Sequence, residues 1–288
     1  MSAKGEQVKI SKIDLYSVFR KEKSEYNKGT LTCYLPDNYT EINEKRKHPA
    51  ILIIPGGGYG FVSPREAEPI ALRYLANGFV AFVLDYSVAP AKYPAAFLEA
   101  AMAMIYIREN EENYYIDKEK IAALGFSAGG HLCGCLAILF NEDIVKAGFG
   151  KMSDMVRPDA VILSYPVITS KEKAHMGSFD NLCGDDMELR QYLSLEDRVG
   201  ADSVPAFIWH TYEDAAVPVY NSLALAQAYE KNGVTFSLHI FEKGNHGLST
   251  ADSASYRTDN LPDVSTGLPG WIDMSIEWLA DRGIKTAD

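Results

Sequence analysis

Between an apolar run, Ile121–Leu124, and a helical one, His131–Phe140, the chain reads Gly125-Phe126-Ser127-Ala128-Gly129-Gly130. A serine bracketed by glycines at a strand-to-helix turn sits on a strained elbow that exposes its hydroxyl. The glycines are needed because a Cβ on either side would collide with neighbouring backbone. The helix N-terminus behind the serine aims N–H groups at negative charge developing on a bound molecule. Taken alone, a G-x-S-x-G string also fits an ordinary tight turn. In this strand–turn–helix setting it marks Ser127 as a candidate nucleophile, with the Ala128 amide beside it as an anion donor.

The rest of the chain supplies a scaffold for such an elbow. Ala50–Ile54, Phe79–Leu84, Ile121–Leu124, Ala160–Leu163, Ala206–Trp209 and Phe236–Phe241 are short apolar runs, each reading as a strand buried on both faces. Helical spacing separates them. Pro94 can open a helix whose Phe97, Ala101, Met104, Ile105 and Arg108 share one face. A second helix is expected from about Val219 to Lys231, stopped by Asn232-Gly233, and a third from near Gly270 to Ala280. Strands alternating with helices imply right-handed crossovers and a largely parallel sheet covered on both sides. Lys9–Arg20 and Thr30–Leu35 look like antiparallel edge strands. The expected fold is therefore α/β, a three-layer sandwich around a mostly parallel sheet of about eight strands. With no repeat, low-complexity tract or linker in the 288 residues, we expect one domain over 1–288. Val167 to Val204 breaks the rhythm: it is polar and Gly-containing, with one short helical pattern around Met187–Leu195. It reads as a small cap, or as a long surface excursion.

Three further segments carry chemistry. Pro55-Gly56-Gly57-Gly58-Tyr59-Gly60 directly follows a predicted strand. Its glycines let main chain approach a ligand and offer the Gly57 and Gly58 amides as oxyanion donors beside that of Ala128. A phosphate-cradling loop is the competing reading, but neither GKS/T nor GxGxxG is present. After Ala206–Trp209 come Glu213 and Asp214, either of which could orient an imidazole. After Phe236–Phe241 comes Gly244-Asn245-His246-Gly247, placing His246 where it can swing over a serine on a neighbouring strand. Of the other five histidines, His239 lies in a strand, His48 precedes one, His131 opens the helix after Ser127 and His175 sits in the insertion. His210 precedes the acid, and a core or capping role suits it. Ser, then acid, then His, each past the end of a strand and downstream of a glycine loop, is the order expected of one particular hydrolase architecture. Tyr59 and Tyr165 fall at the same sheet edge, and their rings are expected to wall a small substrate pocket.

Charge and composition exclude several classes. Twenty-eight basic against 39 acidic residues give a net charge of −11, which argues against nucleic-acid or anionic-membrane partners. Met1–Lys9 lacks the apolar core of a signal peptide and a glycine at position 2, and no run approaches the roughly 20 apolar residues of a membrane span. Cysteines at 33, 133, 135 and 183 form neither a disulfide framework nor CxxC knuckles, so they read as reduced thiols in a cytoplasmic protein. No metal or cofactor is implied. A homo-oligomer is compatible with the sequence, which does not specify one.

On these residues the chain resembles the esterase/lipase family of the α/β-hydrolase superfamily, and within it small bacterial carbohydrate acetyl-esterases of the acetyl xylan esterase or BD-FAE-like type. The likeness runs from about residue 45 onward through Pro55–Tyr59, Arg65–Ala71, Asp85–Pro90, Gly125–His131, Tyr165–Ile168, Val217–Leu223 and Gly244–Gly247. Pro55 before the glycines, and Asp85-Tyr86-Ser87-Val88-Ala89-Pro90 in place of DYRLAP, depart from the hormone-sensitive-lipase branch. The resemblance implies Asp214 rather than Glu213 as the acid, from its D-x-x-V-P pattern. It also implies a Ser127–His246–Asp214 triad acting on small short-chain esters, with acetylated xylose-type sugars as the expected substrate class. A peptidase or amidase on the same scaffold, or a non-catalytic binding module, are the alternatives.

Overall fold

Strands buried on both faces need apolar side chains pointing both ways, and the central runs meet that demand residue by residue. The computed structural model describes residues 8–39, 41 and 43–286, so most of the Met1–Lys9 segment discussed above lies outside the described residues. The first half of the chain forms β1 (Lys9–Asp14), α1 (Leu15–Phe19), β2 (Thr30–Leu35), β3 (His48–Ile54), α2 (Glu68–Ala76), β4 (Val80–Asp85), α3 (Ala95–Glu109) and β5 (Ile116–Phe126). The second forms α4 (Ser127–Ile138), α5 (Asp143–Phe149), β6 (Ala160–Ser164), α6 (Met176–Cys183), α7 (Met187–Tyr192), β7 (Ala206–Thr211), α8 (Tyr220–Lys231), β8 (Phe236–Phe241) and α9 (Trp271–Asp281).

The strands make one eight-stranded sheet in the order β1-β2-β4-β3-β5-β6-β7-β8. β2 pairs antiparallel with both β1 and β4, and the remaining neighbours are parallel. In β3, Ala50, Leu52 and Ile54 join the core beneath α3, α4 and α8, whereas Ile51 and Ile53 join the core beneath α2 and α9. That alternation gives the three layers expected from the sequence. On the second face Tyr74 of α2 hydrogen-bonds Ser275 of α9 at 2.6 Å, so the two covering helices are joined as well as packed. Among the described residues no helix is long and apolar enough to cross a membrane.

Four expectations need correction. Lys9–Arg20 is not one strand: the Asp14 carboxylate accepts the Tyr16 N–H at 3.1 Å and starts α1. β8 is only half-buried, because among the described strands it lies at the edge of the sheet. α3 is buried nearly all round rather than along one face. Its Glu99 is kept inside by Ser87 and the Tyr16 hydroxyl. The 167–204 insertion holds two helices instead of one pattern, and α6 buries Phe179 and Leu182.

Candidate active site

The carboxyl ends of β3, β5, β7 and β8 lie at one edge of the parallel sheet, where folds of this kind bind ligands. Ser127 stands at the β5–α4 junction with φ +53°, a left-handed conformation unusual for a residue with a Cβ. Its neighbours must be glycine. A Cβ on Gly125 would lie 2.2 Å from the Gly129 carbonyl, and one on Gly129 would lie 2.2 Å from that of Ile54.

From Ser127 a hydrogen-bonded line runs through His246 to Asp214. His246 Nε2 is 2.7 Å from Ser127 Oγ, and Nδ1 is 2.6 Å from Asp214 Oδ2. A carboxylate only accepts, so Nδ1 carries the proton and Nε2 offers its lone pair to the serine hydroxyl. Asp214 is buried, and its other oxygen accepts the Ala216 and Val217 N–H groups at 3.0 and 2.9 Å. Burial alone would raise its pKa. Hydrogen bonds from His210 and His246, with the Val217 amide, outweigh it and hold the carboxyl well below the usual range. Glu213 is exposed and, among the described residues, accepts just the Gly244 N–H at 3.2 Å. The three residues singled out from sequence are thus brought together.

The glycine loop turns sharply: Gly57 O accepts N–H groups from Gly60 and Phe61 at 2.9 and 3.1 Å. Among the described residues, the N–H groups of Gly57, Gly58 and Ala128 have no protein acceptor. They are donors left over at the site. Asn181 of α6 holds the loop from above by donating to Gly58 O at 2.8 Å.

Tyr59 and Tyr165 do not line the cavity. Tyr59 turns into the core, where its hydroxyl meets His131 Nδ1 at 2.9 Å. Tyr165 is equally buried: its hydroxyl donates to Glu66 at 2.7 Å and its ring stands edge-on to His246 at 5.1 Å. The cavity beside Ser127 and His246 measures about 440 Å³, and its walls come from Gly58, Phe61, Arg65, Glu66, His175 and Asn181. Sequence reasoning assigned none of the last five a role here. His175 anchors its Nδ1 on Ser178 Oγ at 2.9 Å, and burial, with His246 nearby, lowers its pKa. The other histidines are tied into the structure: His48 to Gly78 O, His131 to Leu193 O, His239 to Ser237. His210 bonds to Ser222 and Val217 O. Among the described residues, no group of three or more His, Cys, Asp or Glu side chains is arranged to hold a metal.

Residues 36–229 match the BD-FAE family. Over 242 residues the chain is 38% identical to endo-1,4-beta-xylanase B of Butyrivibrio fibrisolvens, covering 80% of this chain and 37% of that protein. Over 253 residues it is 27% identical to an acetylxylan esterase of Xylanibacter ruminicola, covering 85% of this chain and 49% of the other. The chain therefore spans less than half the length of these two relatives. Among solved structures, an acetyl ester-xyloside bifunctional hydrolase from Caldicellulosiruptor lactoaceticus aligns with a TM-score of 0.78 at 36% identity, covering 89% of each chain. A carboxylesterase from Lactobacillus plantarum aligns with a TM-score of 0.80 at 25% identity, covering 98% of this chain and 100% of that one.

Proposed function

The chain belongs to the BD-FAE family and has the α/β-hydrolase fold, and from that premise we propose that it is a serine esterase acting on short acyl esters of sugars. The observation that carries the mechanism is the Ser127–His246–Asp214 line, with contacts of 2.7 and 2.6 Å. Ser127 Oγ attacks the ester carbonyl as His246 Nε2 takes its proton, and Asp214 stabilises the imidazolium that results. The tetrahedral oxyanion is held by the Ala128, Gly57 and Gly58 amides, which have no protein acceptor of their own among the described residues. His246 returns the proton to the departing alkoxide, leaving an acyl-enzyme on Ser127. Water then attacks that ester, giving its proton to His246, and collapse of the second intermediate breaks the Ser127 Oγ–acyl bond, with His246 returning the proton to Oγ as the acid leaves.

Acetyl esters on xylose-type sugars are the substrate class we favour. Relatives named acetylxylan esterase, xylanase and acetyl ester-xyloside hydrolase support it. A cavity whose walls include Arg65, His175 and Asn181 supports it too, since such groups suit hydroxyls better than an alkyl chain. The test is acetate release from acetylated xylo-oligosaccharides by the wild type and by Ser127→Ala. The variant is expected to fold and to lose about 10⁴-fold or more in kcat. Retention of a tenth of wild-type turnover would end the nucleophile assignment, and cleavage of peptide amides in preference to esters would redirect the reading to an amidase.

A further inference from the structure

The segment Arg65–Ala71 plays no part in the mechanism above, yet Glu66 within it is a 3% exposed carboxyl on the wall of the Ser127–His246 cavity. A buried ion without partners is strongly destabilising, so its neighbours are informative. Oε2 accepts the Gly56 N–H at 2.8 Å, and Oε1 accepts the Tyr165 hydroxyl at 2.7 Å. The Tyr165 oxygen itself accepts the Ser249 N–H at 2.9 Å while its hydroxyl donates to Glu66. A backbone N–H cannot reverse its role. Both carboxyl oxygens thus face donors, the arrangement that suits an ionised carboxylate.

Three working parts of the site converge on this group. Gly56 begins the oxyanion loop, packed so closely that a Cβ there would lie 2.8 Å from Glu66 Oε2. Ser249 follows His246 by three positions and is fixed again by its hydroxyl to Arg65 O at 2.5 Å and by Trp271 Nε1 at 2.9 Å. The Tyr165 ring is the edge-on surface against the imidazole, with centroids 5.1 Å apart. Other charged or titratable groups face the pair from every side: Asp214 and His210 from β7 and its loop, His175 from the insertion, Tyr86 from beyond β4, and Arg65 with Tyr256 at the rim. Burial raises the Glu66 pKa, against the pull of its two hydrogen bonds and of His246 and Arg65.

We propose that Glu66 is a positioning residue: an ionised carboxylate that ties the oxyanion loop to the histidine loop and favours the imidazolium formed on His246 during turnover. The proposal rests on the serine-esterase reading above. Its test is the pH dependence of p-nitrophenyl acetate hydrolysis by the wild type, Glu66→Gln, Glu66→Asp, Glu68→Gln and Ser127→Ala, with Tm measured for each. Glu66→Gln removes the charge and turns one acceptor into a donor. We expect kcat to fall about 10- to 100-fold at little-changed KM, from misplaced donors. We also expect the acidic limb of kcat/KM to move about half a pH unit lower, because an anion one tyrosine ring from the imidazole is gone. Glu66→Asp keeps the charge but not the reach, so kcat should fall about 10-fold with the acidic limb in place. Exposed Glu68 should tolerate its change on both counts.

A purely structural role lowers Tm and active fraction without moving the limb. Wild-type kcat in Glu66→Gln, or an unmoved limb, therefore overturns the proposal. If Glu66→Gln does not fold, Glu66→Asp decides: wild-type kcat or a displaced limb there refutes it. An active Ser127→Ala takes down the esterase mechanism and this proposal together, whereas a dead Ser127→Ala beside an unaltered Glu66→Gln takes down only this one.

Discussion

His210 approaches the same oxygen of Asp214 that accepts from His246: Oδ2 lies 3.3 Å from His210 Nε2 and 2.6 Å from His246 Nδ1. With two amides on Oδ1, Asp214 is held from both ends in a fully buried position. Exposed Glu213, one residue earlier, has a single long contact. Asp214→Asn should therefore lose up to about 10⁴-fold in kcat, because an amide favours the wrong imidazole tautomer, while Glu213→Gln stays within about twofold. Kinetics of the two variants at one pH rank them. The reverse order would move the acid by one residue.

The two histidines on Asp214 should separate cleanly. His246 must be neutral to take the serine proton, so kcat/KM is expected to fall in acid, and His246→Ala to lose about 10³-fold or more. His210 does not reach the serine. Its removal strands the buried Ser222 hydroxyl and Val217 carbonyl, at about 1–3 kcal/mol, so His210→Ala should lower Tm and trim kcat by about tenfold. A live His246→Ala beside a dead His210→Ala contradicts the assignment.

What was legible in the sequence is what depends on local pattern. Ser127, Asp214 and His246 each follow an apolar strand at a turn, and strands such as β3 are apolar on both faces because both faces are covered. What escaped depends on direction or on distant partners. Tyr59 and Tyr165 both have positive φ, 55° and 38°, so their side chains leave the backbone in a direction that an extended-chain reading does not anticipate. Adjacency to the glycine loop thus misplaced their rings. Glu66 sits in a charged segment that reads as solvated, and its burial is set by partners 10 and 99 residues away. β8 carries the composition of a buried strand, and only the sheet order makes it an edge.

Acyl-chain preference follows from walls other than those two tyrosines. A growing alkyl chain gains about 0.8 kcal/mol per buried CH₂ only where it meets apolar surface. Ser63, Arg65, Glu66, His175 and Asn181 break up the apolar surface around the cavity, and Phe61 supplies its one phenyl ring. Across p-nitrophenyl esters we expect kcat/KM to be highest for acetate, to fall by butyrate, and to be slight for decanoate. A maximum at octanoate or beyond would replace the acetyl-esterase reading with a lipase while leaving the Ser127 line untouched.

Acid stability should trace to His131, which is fully buried between Tyr59 and Leu193. Nε2–H donates to Leu193 O at 2.9 Å and Nδ1 accepts the Tyr59 hydroxyl at 2.9 Å, which satisfies a neutral ring; a second proton on Nδ1 would have to turn the Tyr59 hydroxyl away. Burial lowers its pKa to about 4, only partly opposed by the Leu193 carbonyl. In the unfolded chain the ring titrates near about 6.5. Between those values the unfolded state binds the extra proton and the folded state does not, so stability is lost as pH falls through that window. The loss from this one ring between pH 7 and about 4.5 is about 2 kcal/mol. His48 and His175, whose pKa values burial also lowers, act in the same direction, so the comparison must be with a variant. Urea denaturation at both pH values should show wild type losing about 2 kcal/mol more than His131→Gln. Equal losses in the two proteins would mean that His131 takes up its proton inside the fold.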